Sequence, residues 1–286
     1  MGHLMESKPR KNTRAANTGT YAAPALEKGF NVVELLASEP EGLTISEIAV
    51  RLGHRNISEI FRVIIVMERR GWVERQGGTD RVRVTYKVLE LAFRATPARA
   101  LVHVAAPLMY ALSAEIDQSC HLVVVNRFQG LVIHRQENPG PTGFAVKQGA
   151  YIDLLHSCSG TVLMAFSDDL TVAEILQASS PLSDPALETY RSHLRVVRER
   201  GYELIASART LGVTDMSCPV FNRQGEVVAA LTLPFMQLID GSQKVHRDAA
   251  REILQTYAAR ITQGLGGQGL GGQGASPVSQ GVSAAI

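Results

Sequence analysis

The sequence has little cysteine and no long apolar run. The first feature argues against a disulfide-stabilised protein, and the second argues against a membrane-spanning helix. Its three cysteines, Cys120, Cys158 and Cys218, are widely spaced and include no Cys-x-x-Cys pair. We therefore expect reduced thiols in a cytoplasm rather than a disulfide framework. The longest apolar stretch, residues 101–114, contains a histidine and a proline and is too short to span a bilayer. The basic N-terminal segment is followed by no apolar stretch, so we expect no secretory signal.

The length and the overall composition are typical of a globular protein with two domains. Of 286 residues, 45% are hydrophobic and 20% are charged, which is enough apolar surface for a sizeable core. The net charge of +2 is unevenly distributed: residues 1–87 hold 14 basic and 10 acidic side chains, and the remainder holds 15 and 17. A basic front half is the direction expected for an N-terminal nucleic-acid binder.

Residues 1–22 lack hydrophobic periodicity and are predicted to form a flexible basic arm, which either solubilises the chain or contacts phosphates.

Residues 23–88 are predicted to form three helices and a hairpin. Thr44 and Glu47 have the spacing of a capping box at the start of the second helix, and Gly53 has the position of its left-handed C′ residue. The apolar stripe of the first helix is predicted to contain Leu26, Phe30, Val33 and Ala37; that of the second contains Ile45, Ile48, Ala49 and Leu52.

The third helix begins after a short connection, with Asn56 as its predicted N-cap. Two β-branched stretches around a glycine-containing turn follow it, which predicts a hairpin and hence a winged helix-turn-helix fold. The residues of the third helix predicted to face inward are Ile57, Ile60, Phe61, Ile64 and Ile65.

The opposite side of this helix carries short polar and basic side chains that suit the major groove of a duplex. Arg62 would contact a guanine edge or a phosphate, whereas Glu59 would either accept a hydrogen bond from cytosine or complete the helix cap. The hairpin arginines would either meet a phosphate or remain solvated. The residues predicted to contact DNA are Arg55, Asn56, Ser58, Glu59, Arg62, Val63, Arg75, Arg81 and Arg83.

The rest of the chain alternates between blocks of strands and blocks of helices. Residues 89–116 are predicted to be a linker and dimerisation helix that Pro97 and Pro107 break. Residues 117–263 are predicted to form an α+β domain, with a hairpin turn at residues 222–225. Residues 264–286 form a Gly/Gln/Ser-rich segment that we expect to be disordered.

Eight segments, in this order, are similar to the IclR (isocitrate lyase regulator) family of transcriptional regulators. They are residues 26–29, 42–49, 58–62 and 68–72 in the first half and residues 155–160, 162–166, 197–202 and 218–221 in the second. The chain departs from the family pattern at Thr161, where many members have lysine, and at Cys218, where many have serine or alanine. These departures bear on the ligand class more than on the fold.

The resemblance implies a ligand-responsive repressor or activator with a GAF-like effector-binding domain and no cofactor. It further implies a homodimer or dimer of dimers on palindromic operators near catabolic genes. The effector-binding residues that it implies, together with nearby basic residues, are Arg127, His134, Phe144, Tyr151, Asp153, Leu154, Leu155, His156, Ser157, Cys158, Ser159, Gly160 and Cys218.

Two features favour a small organic acid as effector. The predicted helix start near Ser159 and Gly160 offers free amides and a positive dipole end. Arg127, His134, Arg135 and Lys147 lie on nearby strands and would either neutralise a carboxylate or face solvent.

Other functions have weaker signals in the sequence. The pattern Gly-x-Gly-x-x-Gly at residues 264–269 follows a helix rather than a strand, so it does not predict a dinucleotide site. The segment 157–160 lacks the glycine spacing of a nucleophile elbow, and we expect no enzyme. Cys158 beside His156 leaves a thiol-based redox or small-molecule sensor as the alternative, with the winged helix serving protein contacts and no metal site expected.

Overall fold

The computed structural model describes residues 23–95, 98–141, 143–179, 183–208 and 210–268. The predicted arm at residues 1–22 and most of the predicted tail at residues 264–286 lie outside these ranges. The chain divides into two compact units, residues 1–96 and residues 97–286. Within the described ranges, no helix combines the length and apolarity that crossing a membrane requires.

The first unit is a winged helix-turn-helix, as predicted. Its elements are α1 (Pro24–Ala37), β1 (Leu43–Thr44), α2 (Ile45–Arg51), α3 (Ile57–Arg69), β2 (Val73–Arg75), β3 (Arg81–Val84) and α4 (Lys87–Ala95). The strands form an antiparallel sheet in the order β1-β3-β2. Strand β1 was not predicted, because two residues carry no periodicity and become a strand only by pairing with β3.

The predicted helix ends of this unit are confirmed. The Thr44 hydroxyl accepts a hydrogen bond from the Glu47 amide at 3.2 Å, and the Glu47 carboxylate accepts one from the Thr44 amide at 2.8 Å. Gly53 follows α2 with φ of 71°, and the Asn56 side chain accepts from the Ser58 amide at 3.0 Å. These bonds satisfy amide groups that a helix start otherwise leaves unpaired.

The predicted inward stripe of α1 is wrong except for Val33, which is partly buried and packs against the core. Leu26 and Phe30 are each 58% exposed and Ala37 is also exposed, whereas the buried side chains of this helix are Val32 and Leu36. The helix has more apolar residues than one face holds, so spacing alone does not choose among possible stripes. Packing against α3 and β3 decides which stripe is buried.

The inward face of α3 is corrected in the same way. Ile60, Ile64 and Met67 are buried, as predicted for the first two of them. Ile57, Phe61 and Ile65 were also expected to be inward but are exposed. Of the α2 stripe, Ile48 and Ala49 are buried, and Ile45 and Leu52 pack against the same core, as predicted.

The second unit has the predicted α+β class. Its elements are α5 (Ala98–Ile116), β4 (Cys120–Asn126), β5 (Gln129–Gln136), β6 (Tyr151–Ile152), α6 (Cys158–Phe166), α7 (Asp169–Ala178), α8 (Asp184–Arg200), β7 (Glu203–Ala206), β8 (Val213–Phe221), β9 (Val227–Met236) and α9 (Arg247–Gly264). The strands form an antiparallel sheet in the order β6-β5-β4-β9-β8-β7.

Helices cover both faces of this sheet. On one face, α5 and α9 pack in a cluster that includes Met109, Leu254 and the β9 residue Leu231. On the other face, α6 and α8 pack in a cluster that includes Val162 and the next β9 residue, Ala230. Successive strand residues therefore serve opposite cores, which explains why β9 is buried along most of its length.

The predicted linker at residues 89–116 divides between the two units. Its first part belongs to α4, whereas α5 packs through Leu101, Met109 and Ile116 into the core of the second unit. Pro97 lies outside the described residues. Pro107 was predicted to break this helix, but α5 continues through it. Pro107 lies on the exposed side of the helix, where water can satisfy the carbonyl group that loses its partner.

Candidate DNA-reading face and effector pocket

The exposed side of α3, carrying Ser58, Glu59 and Arg62, is called the reading face below. All three side chains are exposed, as are Arg55 and Asn56 at the start of the helix. Within the described part of the chain, Arg62 makes no ion pair, and a guanidinium on an exposed helix face is free to meet a phosphate or a guanine edge.

One predicted member of this face is misplaced. Val63 is partly buried and packs against the core of the first unit, with its Cγ1 facing Gly29 of α1. It therefore does not point outward toward a thymine methyl group. Its place on the exposed side is taken by Phe61 and Ile65, which were expected to be inward.

Glu59 has a role that neither sequence interpretation included. Its carboxylate accepts a hydrogen bond from the Lys28 ammonium of α1 instead of capping α3. This bond and the charge of Lys28 lower the pKa of Glu59. Contact between Glu59 and a base would therefore require Lys28 to release it.

The wing arginines are paired within the first unit. The Arg81 guanidinium donates to the Gly42 carbonyl at 2.7 Å and lies 3.6 Å from the Glu47 carboxylate. Arg83 donates to Glu74 at 2.8 Å, and Arg75 lies 3.4 Å from Glu68. Such exposed pairs are weak, so Arg75 and Arg83 can exchange their partners for a phosphate, whereas Arg81 is held by the backbone as well.

The second unit contains a cavity of about 200 Å³ between the N-terminal end of α6 and the sheet. Its lining comes from β4, β7, β8, β9, α6 and the segment between β5 and α6. The lining residues are His121, Phe144, Val146, Ile152, Asp153, His156, Ser157, Cys158, Ser159, Ile205, Ser207, Ala208, Asp215 and Thr232. We call this cavity the effector pocket.

Six residues that the resemblance implies line this pocket. They are Phe144, Asp153, His156, Ser157, Cys158 and Ser159. They follow one another closely along the chain, so a sequence pattern finds them together. The remaining eight lining residues were missed: five lie on strands, and Val146, Ser207 and Ala208 lie in the segments beside β6 and β7.

Several predicted residues lie elsewhere. Leu154 and Leu155 pack in the core under α6, and Tyr151 is 59% exposed on β6. Gly160 allows close packing, because a Cβ there would lie 2.5 Å from the Leu154 backbone. Cys218 is buried in the cluster of α5 and α9, on the opposite face of the sheet.

The basic residues expected to neutralise a carboxylate are also outside the lining. Arg127 occupies the β4–β5 turn with φ of 56°. His134 pairs with Leu122, whose side chain belongs to the α5 and α9 face. Arg135 forms an ion pair with Glu137. Lys147 is exposed and is not among the lining residues.

The N-terminal end of α6 remains as a group of donors at the pocket. The Ser157 hydroxyl caps the helix by accepting from the Gly160 amide at 3.0 Å. The amides of Cys158 and Ser159 are the first two of the helix and have no carbonyl of the preceding turn to bond. Both residues line the pocket, where these amides and the helix dipole favour an anionic group.

Two aspartates at the pocket differ in their ionisation. Burial raises the pKa of Asp153, but hydrogen bonds from His156 and from the Leu155 and His156 amides outweigh it, so the pKa lies below its usual value. Burial raises the pKa of Asp215, and a hydrogen bond from Ser207 offsets only part of this rise. Hydrogen bonds therefore stabilise Asp153 as the carboxylate, whereas Asp215 is protonated more readily than an ordinary aspartate.

His121 is a neutral, buried member of the lining. Its side chain is 4% exposed, and burial lowers its pKa to about 4. Its Nδ1 atom has no hydrogen-bond partner among the residues that the structure describes. The signal available in the sequence was a polar residue at the start of an otherwise apolar strand, which also fits an ordinary core histidine.

The three thiols are buried and protonated. Burial raises the pKa of Cys120 and of Cys218 to about 12, and it also raises the pKa of Cys158. The Cys158 thiol donates to the carbonyls of Glu203 and Asp215 at 3.4 and 3.3 Å. A nucleophilic or metal-binding cysteine needs the thiolate, so these environments do not favour the redox-sensor alternative. The described residues contain no cluster of three or more metal-ligating side chains.

Two family models match the chain. The model described as "Bacterial transcriptional regulator IclR C-terminal" matches residues 93–263, and the "IclR helix-turn-helix domain" matches residues 25–77. Among curated relatives, the HTH-type transcriptional regulator KdgR of Escherichia coli strain K12 is 26% identical over 244 residues, covering 84% of this chain and 91% of the relative.

Solved structures have the same fold. A crystal structure of an IclR transcriptional regulator from Alicyclobacillus acidocaldarius has a TM-score of 0.65 and 25% identity, covering 86% of this chain and 100% of that one. An IclR homologue from Microbacterium hydrocarbonoxydans, complexed with 4-hydroxybenzoate, has a TM-score of 0.69 and 23% identity, covering 84% and 98%.

Proposed function

Because this chain belongs to the IclR family of bacterial transcriptional regulators, we propose that it reads DNA with α3 and is controlled by a small acid in the effector pocket. The observation that carries the DNA contact is the reading face: a capped helix of a winged helix-turn-helix presents Ser58, Glu59 and Arg62 to solvent, and Arg62 forms no ion pair with any residue that the structure describes. The family function is transcription regulation rather than enzyme catalysis.

Binding to a duplex from the gene's own upstream region tests the reading face. Arg62→Ala should weaken binding to the specific site by about 1–3 kcal/mol, as measured by fluorescence anisotropy. Arg195→Ala is the matched control, because it removes the same charge from an exposed position in the second unit. Wild-type affinity in the Arg62 variant would argue that the winged helix serves protein contacts instead.

Salt dependence separates phosphate contacts from other binding. Each phosphate contact should contribute a slope of roughly −0.9 to the logarithm of affinity against the logarithm of salt concentration. Substituting Arg75 or Arg83 with alanine should reduce this slope by about one per lost contact and should weaken binding evenly across sequences. An unchanged slope in both variants would exclude the wing arginines from the DNA contact.

The proposed effector is a small organic acid whose carboxylate meets the Cys158 and Ser159 amides. Support comes from the N-terminal end of α6, which lines the pocket, and from the volume of about 200 Å³, below the ~300 Å³ typical for larger ligands. A thermal-shift comparison of benzoate with benzamide, and of propionate with propionamide, tests the charge. If benzamide and propionamide raised the melting temperature and benzoate and propionate did not, this result would contradict an acid effector.

We further propose a cytoplasmic homodimer or dimer of dimers acting on a palindromic operator near catabolic genes. Supporting evidence is apolar surface on the first unit away from the reading face: Leu89 and Phe93 of α4 are 49% and 58% exposed. Exposed apolar side chains of this kind favour association. Analytical ultracentrifugation of the full chain tests the assembly, with a monomer at micromolar concentration as the contradicting result.

A further inference from the structure

A row of polar side chains crosses the sheet beneath α6. Strand register aligns Glu203 with Ser217, Ser217 with Thr232 and Thr232 with His121, so these four residues lie on one face of β7, β8, β9 and β4. All four are buried. Buried polar groups in proteins are nearly always hydrogen-bonded, and each exception requires an explanation.

Three members of this row have partners. Arg200 and His193 both bond the Glu203 carboxylate, and the Ser217 and Thr232 hydroxyls bond each other at 2.9 Å. His121 is the exception, since its Nδ1 has no partner among the described residues. Both His121 and Thr232 line the effector pocket, so the unpaired nitrogen belongs to a residue that a bound molecule can reach.

We propose that His121 is a specificity-determining residue of the effector pocket and that its imidazole hydrogen-bonds a hydroxyl group of the acid effector. The inference rests on the proposed function, because it assumes that the effector occupies this pocket with its carboxylate at the start of α6.

A hydroxyl group suits this position better than an ion does. The imidazole is neutral at pH 7, since burial lowers its pKa to about 4, so it offers one donor and one acceptor nitrogen. A hydroxyl both donates and accepts, and therefore matches either tautomer of the ring. Asp215 also lines the pocket and provides a second acceptor for the same hydroxyl or another one.

The geometry therefore divides recognition between two sides of the pocket. The α6 amides are on the helix side, and His121, Asp215 and Thr232 are on the sheet side. A molecule that carries a carboxylate at one end and a hydroxyl at the other satisfies both. An acid without the hydroxyl forms no hydrogen bond with His121 and lacks the affinity that this bond contributes.

The test compares acids that differ by one hydroxyl group, using the full chain and isothermal titration calorimetry. The probes are benzoate against 4-hydroxybenzoate and butyrate against 4-hydroxybutyrate. We expect the hydroxylated member of at least one pair to bind roughly fivefold to tenfold more tightly to the wild-type protein. His121→Leu should remove this preference, so that each hydroxylated acid and its parent bind the variant with affinities within about twofold of each other. His134→Leu is the matched control, since His134 lies on the same sheet outside the pocket.

Each outcome decides between the proposals. A hydroxyl preference that disappears in His121→Leu and persists in His134→Leu supports the inference. Acids that bind without a hydroxyl preference, or with a preference that His121→Leu retains, overturn the inference and leave the acid effector standing. If none of the four acids binds, both the acid effector and the inference fail, whereas the DNA-binding proposal is untouched.

A second measurement covers the case in which His121→Leu does not fold. In wild-type protein labelled with ¹⁵N-histidine, the ring nitrogens of His121 should not titrate between pH 6 and 8. Addition of the hydroxylated acid should shift these signals, and addition of the parent acid should not. Equal shifts with both acids, or none with either, would overturn the role of His121.

Discussion

At the scale of single residues, the pocket contains polar groups whose burial costs stability. Asp215 is an example: its carboxyl group is more than half buried, and burial raises its pKa. The ionised form is therefore less favourable in the folded chain than in the unfolded chain. Retaining such a group at a cavity is typical of binding sites, where stability is lower than it could be.

Replacing this carboxylate should stabilise the protein in a pH-dependent way. Because the folded pKa of Asp215 is raised, its contribution to stability is lost as pH rises through the folded value. Asp215→Asn should therefore increase the free energy of unfolding at pH 7, and the gain should shrink as pH falls toward 4. Urea unfolding at both pH values measures this effect.

The control for this experiment is Asp248→Asn, which changes an aspartate whose side chain is 77% exposed. It should alter stability little at either pH. A loss of stability in Asp215→Asn at pH 7 would show that the hydrogen bond between Asp215 and Ser207 stabilises the fold by more than the burial of the carboxylate destabilises it.

The buried thiols should be unreactive in the folded protein. Burial raises the pKa of all three, so the thiolate fraction at pH 8 is very small. We expect iodoacetamide to modify Cys120, Cys158 and Cys218 quickly in guanidinium chloride and hardly at all without it, as measured by peptide mass spectrometry. Rapid modification of Cys158 in the folded protein would contradict this expectation and would support the redox-sensor alternative.

At the scale of elements, the winged helix-turn-helix depends on α2, which is only seven residues long. A helix this short is not stable by itself. Its start is secured by reciprocal hydrogen bonds between Thr44 and Glu47, and Ile48 and Ala49 hold it to the core. The cap also orients the connection to β1, which begins at Leu43 and pairs with β3.

Removing the cap should destabilise the first unit measurably. Thr44→Ala should cost about 1 kcal/mol of unfolding free energy, because the Glu47 amide loses its acceptor. Ser46→Ala, at an exposed position in the same helix, should cost clearly less. Chemical denaturation followed by the fluorescence of Trp72 in this unit measures the difference, and equal losses in both variants would show that helix propensity matters more than the cap.

At the scale of the whole molecule, each unit has its own core. Val32, Ile60 and Val82 pack in the first unit, whereas two clusters on opposite faces of the sheet serve the second. The effector pocket is lined entirely by residues of the second unit. The proposed effector site and the proposed DNA-reading face therefore lie in different units, each with its own core.

A fragment of residues 97–268 should fold and bind acids without the first unit. We expect a cooperative thermal transition, the affinity of the full chain for the same acid, and no binding to operator DNA. Calorimetry measures all three. A fragment that is unfolded, or that binds acids much more weakly, would show that the first unit completes the second.

The amino-acid sequence by itself determined the features that depend on neighbouring residues. The capping box at Thr44, the Asn56 cap, the turn at residues 222–225 and the bounds of α8 are encoded within a few positions. The fold class followed from the order of these elements. Six pocket residues between Phe144 and Ser159 were also predictable, because they are near neighbours in the chain.

The tertiary structure alone decided which surfaces meet. An apolar excess in α1 and α3 allows several stripes, and packing selected Val32 and Ile60 over Phe30 and Phe61. His121, Asp215 and Thr232 come together because β4, β8 and β9 are adjacent in the sheet, although about 100 residues separate the first from the others. Strand order and register are set by long-range burial, and no local pattern in a single sequence specifies them.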